Sequence, residues 1–269
     1  MATDTSQEPA GTGEQYSLAK ILGIWLAVVV PMVILAWVVK PAFAPDFDSD
    51  PVGVGKVKLG LLSLGLIWQF VLAMIIVYSE EGDLKWATIK ERFWLNAPRD
   101  PKTGESRRKL WWWLILFIFL LFLSFAIAPP TVDRLWVSLI PAFAAPPDGN
   151  IGEVLAMPGI AEKLVGDWFF VGLFLLMCIF NILGEEGIFR GVLLPKMEGV
   201  FGKWAWVANG LLFGFYHIHQ PWMMIGAALF ASIALAFPAQ RFRSTWMAVI
   251  VHSVQFLVIL PGIFMAALG

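Results

Sequence analysis

Long apolar runs, separated by short polar or charged stretches, recur along almost the whole chain. A helix needs about 20 predominantly apolar residues to cross the hydrocarbon core of a bilayer, and most of these runs approach that length. The pattern predicts seven membrane-spanning helices at residues 21–39, 59–78, 110–128, 168–183, 204–216, 221–240 and 244–268. The chain is therefore predicted to be an all-α, polytopic membrane protein.

Composition agrees with this prediction, because 59% of the residues are hydrophobic and only 14% are charged. An average soluble domain carries about 25% charged residues. Residues 1–17 are polar and are expected to form a disordered tail. Residues 18–269 are expected to form a single transmembrane domain.

Two of the connecting segments carry structural predictions of their own. Residues 84–95 interleave large apolar residues with charges, which suits a short amphipathic helix on the membrane surface. Residues 129–167 contain two Pro-Pro pairs and form a loop long enough to cap one face of the helices.

The distribution of lysine and arginine predicts the orientation in the membrane. Residues 79–109 carry eight of the 19 basic residues. Placing this loop in the cytoplasm puts 14 of the 19 on the cytoplasmic side and five on the other. Cytoplasmic loops are enriched in Lys and Arg. We therefore expect an integral protein of the cytoplasmic membrane with its N-terminus inside and its C-terminus outside.

Two adjacent glutamates and an arginine follow the apolar run 168–183 directly. A charge at the centre of a bilayer costs roughly 2.5–3.5 kcal/mol on insertion scales, so such groups usually face a polar cavity and serve a function. On a helix Glu186 and Arg190 form an i,i+4 ion pair. Glu185 is then the unpaired carboxylate and a candidate general base. Ordinary interfacial charges at the end of a span would give the same local pattern.

All three histidines of the chain lie in its last third. His217 and His252 sit within apolar runs, whereas His219 precedes a Gln-Pro pair and is equally consistent with a structural role at a helix end. Residue 201 is midway between Glu185 and His217, so a turn near residue 197 brings the two level on neighbouring helices. The spacing also suggests a shared polar seam lined by Asn181 and Asn209.

Three motifs follow one another in the order Glu185-Glu186-xxx-Arg190, Phe213-xxx-His217 and His252 in the last predicted span. Over residues 165–262 this order resembles the CAAX protease and bacteriocin-processing (CPBP, or Abi) family of intramembrane endopeptidases. The resemblance implies a four-helix catalytic core in the C-terminal half. It also implies proteolysis by a glutamate-activated water, with no metal ion and no other cofactor.

The resemblance assigns a role to each of the motif residues. Glu185 deprotonates the attacking water, and His217 helps to place that water. Glu186 and Arg190 hold the site in shape, while His252 stabilises the developing oxyanion. The implied partners are the lipid bilayer and a peptide or membrane-protein substrate, with no nucleic acid. Prenylated CAAX tails, leader peptides and membrane-protein segments are all substrates that the family permits.

One position departs from the family pattern. The third motif is usually His-xxx-Asn, and here the fourth position after His252 is Phe256, which has no hydrogen-bond donor. Gln255 lies one position earlier, about 100° around the helix, and could substitute after some adjustment. A missing oxyanion donor costs about 10²–10³ in rate. On the lipid-facing side of the last span, Phe256 would instead be ordinary packing.

Three alternative functions are also compatible with polar residues inside membrane spans. A catalytically weak or inactive membrane scaffold, or an immunity protein on the same fold, is favoured by Phe256. A zinc protease is disfavoured because the chain has no HExxH helix. A proton-coupled transporter is disfavoured because no similarly interrupted helices occur in corresponding halves.

Overall fold

The computed structural model describes residues 14–269, and the regular elements in this part of the chain are helices. We number the ten principal helices α1 Leu18–Phe43, α2 Pro51–Glu81, α3 Trp86–Arg92, α4 Arg108–Leu139, α5 Ile151–Leu155, α6 Ile160–Leu164, α7 Trp168–Lys196, α8 Ala205–Tyr216, α9 Pro221–Arg241 and α10 Thr245–Leu268. The prediction of an all-α, polytopic membrane protein is confirmed.

Six of the seven predicted spans are long helices, and the seventh is formed around a short one. Within residues 14–269, six helices are long and apolar enough to cross a membrane: α1, α2, α4, α7, α9 and α10. The predicted span at 204–216 forms α8, which has 12 residues. At 1.5 Å per residue it is about 18 Å long, well short of the roughly 30 Å of a hydrocarbon core. Short 3₁₀ turns, Gly202–Trp204 and His217–His219, extend it at both ends. The start of α8 lies beside the end of α9, where the Trp206 N–H donates to Gln240, so this segment carries the chain back through the bundle between α7 and α9.

Four of the long helices change to wider, π-helical turns for part of their length. In α1 this happens at Leu35–Val39, just beyond Pro31, and in α4 at Pro129–Asp133. The longest such stretch, Asn181–Leu193 in α7, contains both adjacent glutamates. π-Helical turns occur frequently at functional sites.

Two backbone hydrogen bonds fix the start of α1 and the end of α10 relative to α7. The N–H of Tyr16 donates to the C=O of Lys196 at 2.9 Å, at the C-terminal end of α7. The N–H of Gly166 donates to the C=O of Ala267 at 2.9 Å, beside the start of α7 at Trp168. The start of α1 and the end of α10 therefore lie at opposite ends of the bundle. We call these the Lys196 end and the Trp168 end.

The described part of the predicted tail, residues 14–17, is anchored rather than free. Tyr16 is 4% exposed, and its hydroxyl donates to Glu80 Oε1 at 2.6 Å. The hydroxyl of Ser17 accepts from the Lys20 N–H and so caps α1. Composition did not reveal this because one buried aromatic residue among polar neighbours is enough to fix the segment. Residues 1–13 of the predicted tail lie outside the described residues.

The predicted amphipathic helix is shorter than expected and packs onto the bundle. It spans Trp86–Arg92, and Arg92 and the following Phe93 are buried. The Phe93 ring packs on Gly191 of α7, where an added Cβ would lie 2.6 Å from Phe93 Cγ. Only a glycine at position 191 allows this contact. The contact of Phe93 with Gly191 therefore fixes this segment to α7, and its position at the membrane surface stays a prediction.

Candidate active site

A cavity of about 340 Å³ lies within the bundle, between α2, α7, α8, α9 and α10. The loop predicted as a cap contributes part of its wall, including Gly149 and Ile151. Asp148 in this loop forms ion pairs with Lys40 at 2.5 Å and Lys58 at 3.8 Å, which tie the loop to α1 and α2. The predicted site residues that line the cavity are Asn181, Glu185, Phe213, His217, His252 and Gln255.

Glu185 is the carboxylate that faces the cavity. Its side chain is almost completely buried, and its two oxygens have different neighbours. The Tyr216 hydroxyl donates to Oε1 at 3.3 Å. Oε2 lies 3.8 Å from Nε2 of His252, which is beyond direct hydrogen-bond distance. One oxygen is thus bonded to the protein, and the other is available to a molecule in the cavity.

Glu186 lies behind the cavity wall and forms the predicted ion pair. Arg190 Nη1 lies 3.3 Å from Glu186 Oε1, in i,i+4 spacing. The same oxygen accepts from Nδ1–H of His252 at 2.8 Å. The Arg190 guanidinium is fully buried and lies over the ring of Phe213, 4.5 Å from its centroid. Glu186 therefore fixes the orientation of His252, and Arg190 supplies the countercharge.

The two histidines on the cavity wall have defined orientations. Nδ1 of His217 lies 2.9 Å from the C=O of Phe213, and since a carbonyl only accepts, this nitrogen carries the proton. In the neutral ring Nε2 is then an acceptor. In His252, Nδ1 is bonded to Glu186, so Nε2 is the nitrogen left toward Glu185. In each ring, one nitrogen is hydrogen-bonded to the protein and the other is not.

His219 also lines the cavity, but both of its ring nitrogens have protein partners. Nδ1–H donates to the C=O of Tyr216 at 3.1 Å, and Nε2 accepts from Gln220 Nε2 at 3.2 Å. Its ring stacks on His217 with the centroids 5.5 Å apart. These contacts give His219 a structural role beside His217.

The turn that brings Glu185 and His217 together is near its predicted position. Helix α7 ends at Lys196, and Gly202 adopts a positive φ of 53°, a region that favours glycine, before the chain returns in α8. Gly184 packs so closely on α2 that a Cβ there would clash with the C=O of Leu66. This close approach holds the start of the Glu185–Arg190 motif against α2.

Asn209 does not line the cavity, contrary to the prediction. It is fully buried, and its Nδ2–H donates to the C=O of Phe189 at 2.7 Å, which ties α8 to α7. Asn209 precedes His217 by two helical turns and therefore lies nearer the Lys196 end. Asn181 does line the cavity, and its Oδ1 has no hydrogen-bond partner among residues 14–269.

Phe256 and Gln255 both line the cavity, so the interpretation of Phe256 as a lipid-facing residue is wrong. Phe256 is 9% exposed and belongs to an apolar cluster with Phe174 and Leu164. The position of the family's usual asparagine is thus occupied by an apolar ring at the cavity surface.

Two polar residues near Glu185 were not predicted from the sequence: Tyr216, which contacts Glu185 directly, and Gln69, which contacts Tyr216. Tyr216 donates to Glu185, and Nε2–H of Gln69 in α2 donates to the Tyr216 hydroxyl at 2.8 Å. Gln69 was visible as the only strongly polar residue in the predicted span 59–78. Nothing in the sequence indicated a role for Tyr216 except its position next to His217.

The residues that the structure describes contain no group of three or more His, Cys, Asp or Glu side chains that could hold a metal ion. Cys178, the single cysteine, is buried and unpaired in α7.

Comparison with known families gives one match. Residues 167–258 match the family model "Type II CAAX prenyl endopeptidase Rce1-like". The match covers Glu185, Glu186, Arg190, His217 and His252, and it confirms the resemblance that the motifs indicated. At the level of the family, it supports a membrane-embedded peptidase. The curated proteins gave no match, and neither did the solved structures.

Proposed function

Residues 167–258 belong to the CPBP family, and on that premise we propose that this protein is an intramembrane endopeptidase that hydrolyses a peptide bond with a glutamate-activated water. The observation that carries the proposal is the asymmetric environment of Glu185. One carboxylate oxygen is bonded to Tyr216, and the other faces the cavity beside His252. A buried carboxylate with one available oxygen is suited to accept a proton from a bound water.

The proposed reaction begins with Glu185 Oε2 removing a proton from a water in the cavity. His217 Nε2 accepts a hydrogen bond from the same water and so orients it. The water oxygen attacks the carbonyl carbon of the scissile bond and forms a tetrahedral oxyanion. Protonated Glu185 then transfers its proton to the leaving nitrogen as the C–N bond breaks, which restores the carboxylate.

His252 is the proposed oxyanion donor. In the doubly protonated ring, Nδ1–H donates to Glu186 while Nε2–H is free to donate to the oxyanion. Glu186 and Arg190 act through His252, because they supply its fixed partner and the countercharge of that partner. A preorganised donor of this kind contributes about 10²–10³ in rate.

The proposed substrate is a peptide or membrane-protein segment that reaches the cavity within the bilayer. The cavity wall is largely apolar, which suits an extended chain with apolar side chains. The family description also makes a prenylated CAAX tail a candidate substrate.

We further propose that the Lys196 end of the bundle faces the cytoplasm. The basic loop at residues 79–109 lies at this end, since Arg92 donates to the C=O of Gly191 and Arg99 N–H donates to the C=O of Phe242. With the start of α1 at this end and the end of α10 at the other, the N-terminus is inside and the C-terminus outside. The membrane would be the cytoplasmic membrane.

Cysteine labelling tests the orientation. In a Cys178→Ala background, Thr103→Cys should react with an impermeant maleimide only from the cytoplasmic side, and Glu162→Cys only from the opposite side. Both positions are exposed. The reverse labelling pattern would show that the protein has the opposite orientation.

The catalytic proposal is tested with Glu185→Gln and a matched control. The amide retains the shape of the side chain but cannot accept the proton, so cleavage of a peptide library should fall by about 10²–10⁴. Glu162→Gln, at an exposed position of the cap, should cleave at the wild-type rate. Turnover of Glu185→Gln within threefold of wild type would remove Glu185 from the mechanism.

Phe256 supports a second candidate function, an inactive scaffold or immunity protein on the same fold. An apolar ring occupies the position of the usual oxyanion donor, at the surface of the cavity. This alternative gains if neither wild-type protein nor Phe256→Asn cleaves any peptide in the library.

A further inference from the structure

Glu185 is reached by a chain of two hydrogen bonds that starts on a helix outside the matched region. Nε2–H of Gln69 in α2 donates to the Tyr216 hydroxyl at 2.8 Å, and this hydroxyl donates to Glu185 Oε1 at 3.3 Å. Gln69 and Tyr216 are both 0% exposed. The three side chains come from α2, α8 and α7, so the chain links three separate helices.

The direction of the two bonds follows from the chemistry of the groups. An ionised carboxylate only accepts, so the shared proton in the second bond belongs to Tyr216. The amide of Gln69 donates to a lone pair of the same oxygen, which leaves the hydroxyl hydrogen directed at Glu185. Gln69 thereby favours the one hydroxyl orientation that holds Oε1.

A buried glutamine is costly in an apolar span unless it is required there. Its Oε1 has no hydrogen-bond partner in the part of the chain that the structure describes. An unpaired buried polar atom carries a desolvation penalty of about 1–3 kcal/mol. Helix packing alone would be served better by leucine at this position.

We propose that Tyr216 and Gln69 are positioning residues for the glutamate, holding Oε1 so that Oε2 alone faces the substrate water. This inference rests on the proposed function, because it deepens the role of Glu185. Fixing one oxygen removes rotation of the carboxylate about its terminal bond. The basic oxygen is then held near the water and near His252 Nε2 during the reaction.

The test is a double-mutant cycle with steady-state kinetics on a cleaved peptide. Tyr216→Phe retains the ring and should lower kcat about tenfold while KM stays within twofold, since a hydrogen bond to a charged group is worth about that factor. Gln69→Leu should lower kcat about threefold. The double variant should match Tyr216→Phe, because Gln69 acts only through the hydroxyl. Additive losses would indicate two separate packing effects and would overturn the proposal.

The control is Tyr78→Phe, which removes the hydroxyl of an exposed tyrosine in α2 and should leave kcat unchanged. A wild-type kcat for Tyr216→Phe would overturn the proposal. If Tyr216→Phe does not fold, the test rests on Gln69→Leu, and a wild-type kcat for that variant would overturn the inference. These failures differ from failure of the proposed function, in which Glu185→Gln itself remains active.

Discussion

Two buried arginines, Arg92 and Arg190, are each paired with a glutamate near the Glu185–Arg190 motif, and they differ in how fully their hydrogen bonds are satisfied. Arg92 donates to Glu80, to the Tyr16 hydroxyl and to the carbonyls of Gly191 and Val192. Arg190 has an ion pair with Glu186, but none of its guanidinium nitrogens makes a hydrogen bond within residues 14–269.

Under the proposed function, this difference separates a structural network from a catalytic one. Buried polar groups in folded proteins are nearly always hydrogen-bonded, and exceptions call for an explanation such as a catalytic role. The Arg92 network is saturated and joins the start of α1, α2, α3 and α7. The Arg190 network leaves bonding capacity unused next to the cavity. We propose that the first stabilises the bundle and that the second belongs to the proposed catalytic site.

Matched Arg→Met substitutions give the sharpest test of this comparison. Arg190→Met should lower turnover about 10- to 100-fold, because Glu186 loses its countercharge and no longer holds His252 in place. It should also lower the free energy of unfolding, because the Glu186 carboxylate is left buried without a cation. Activity and unfolding in mixed micelles would be measured on the same preparations.

Arg92→Met should lower stability without lowering turnover. We expect its free energy of unfolding to fall by about 1–3 kcal/mol, because the carbonyls of Gly191 and Val192 and the Tyr16 hydroxyl lose their donor. The folded fraction should retain near wild-type turnover, since Arg92 does not contact the cavity. Equal stability losses in the two variants, with equal residual activity, would contradict the distinction.

Phe256→Asn tests whether the functional network lacks its usual donor. If the protein is a slow protease, the asparagine should raise kcat by about tenfold or more, as expected for a regained oxyanion donor. If Gln255 already serves this role, Gln255→Ala should instead lower kcat and Phe256→Asn should have little effect. Both side chains line the cavity, so both substitutions act at the site.

Metal removal should have the smallest effect of all. We expect a strong chelator to leave turnover unchanged, because the proposed mechanism uses only Glu185 and the histidines. Metal content of the purified protein would be measured in parallel. Stoichiometric zinc, with activity lost on its removal and restored on its return, would establish a metalloprotease instead.

Much of the site was predictable because its residues are close in sequence or carry a recognisable order. Glu186 and Arg190 pair at i,i+4 in any helical geometry, and the midpoint between Glu185 and His217 fixed their approximate level. The family resemblance rested on three motifs in order, and the family model confirmed it. Charged residues in an apolar run are conspicuous whichever way the helix is turned.

Tertiary structure decided what depends on the rotation and depth of each helix. The apolar surface of a membrane helix faces lipid and protein alike, so hydropathy does not reveal which side is buried. The sequence therefore could not show that Phe256 faces the cavity or that Asn209 lies outside its wall. Nor could it show that Gln69 donates a hydrogen bond to Tyr216. It determined the helical membrane class and the three motifs that carry the family resemblance, because composition and spacing along one chain suffice for these. Contacts between helices required the packed structure, because sequence periodicity sets no register between one helix and the next.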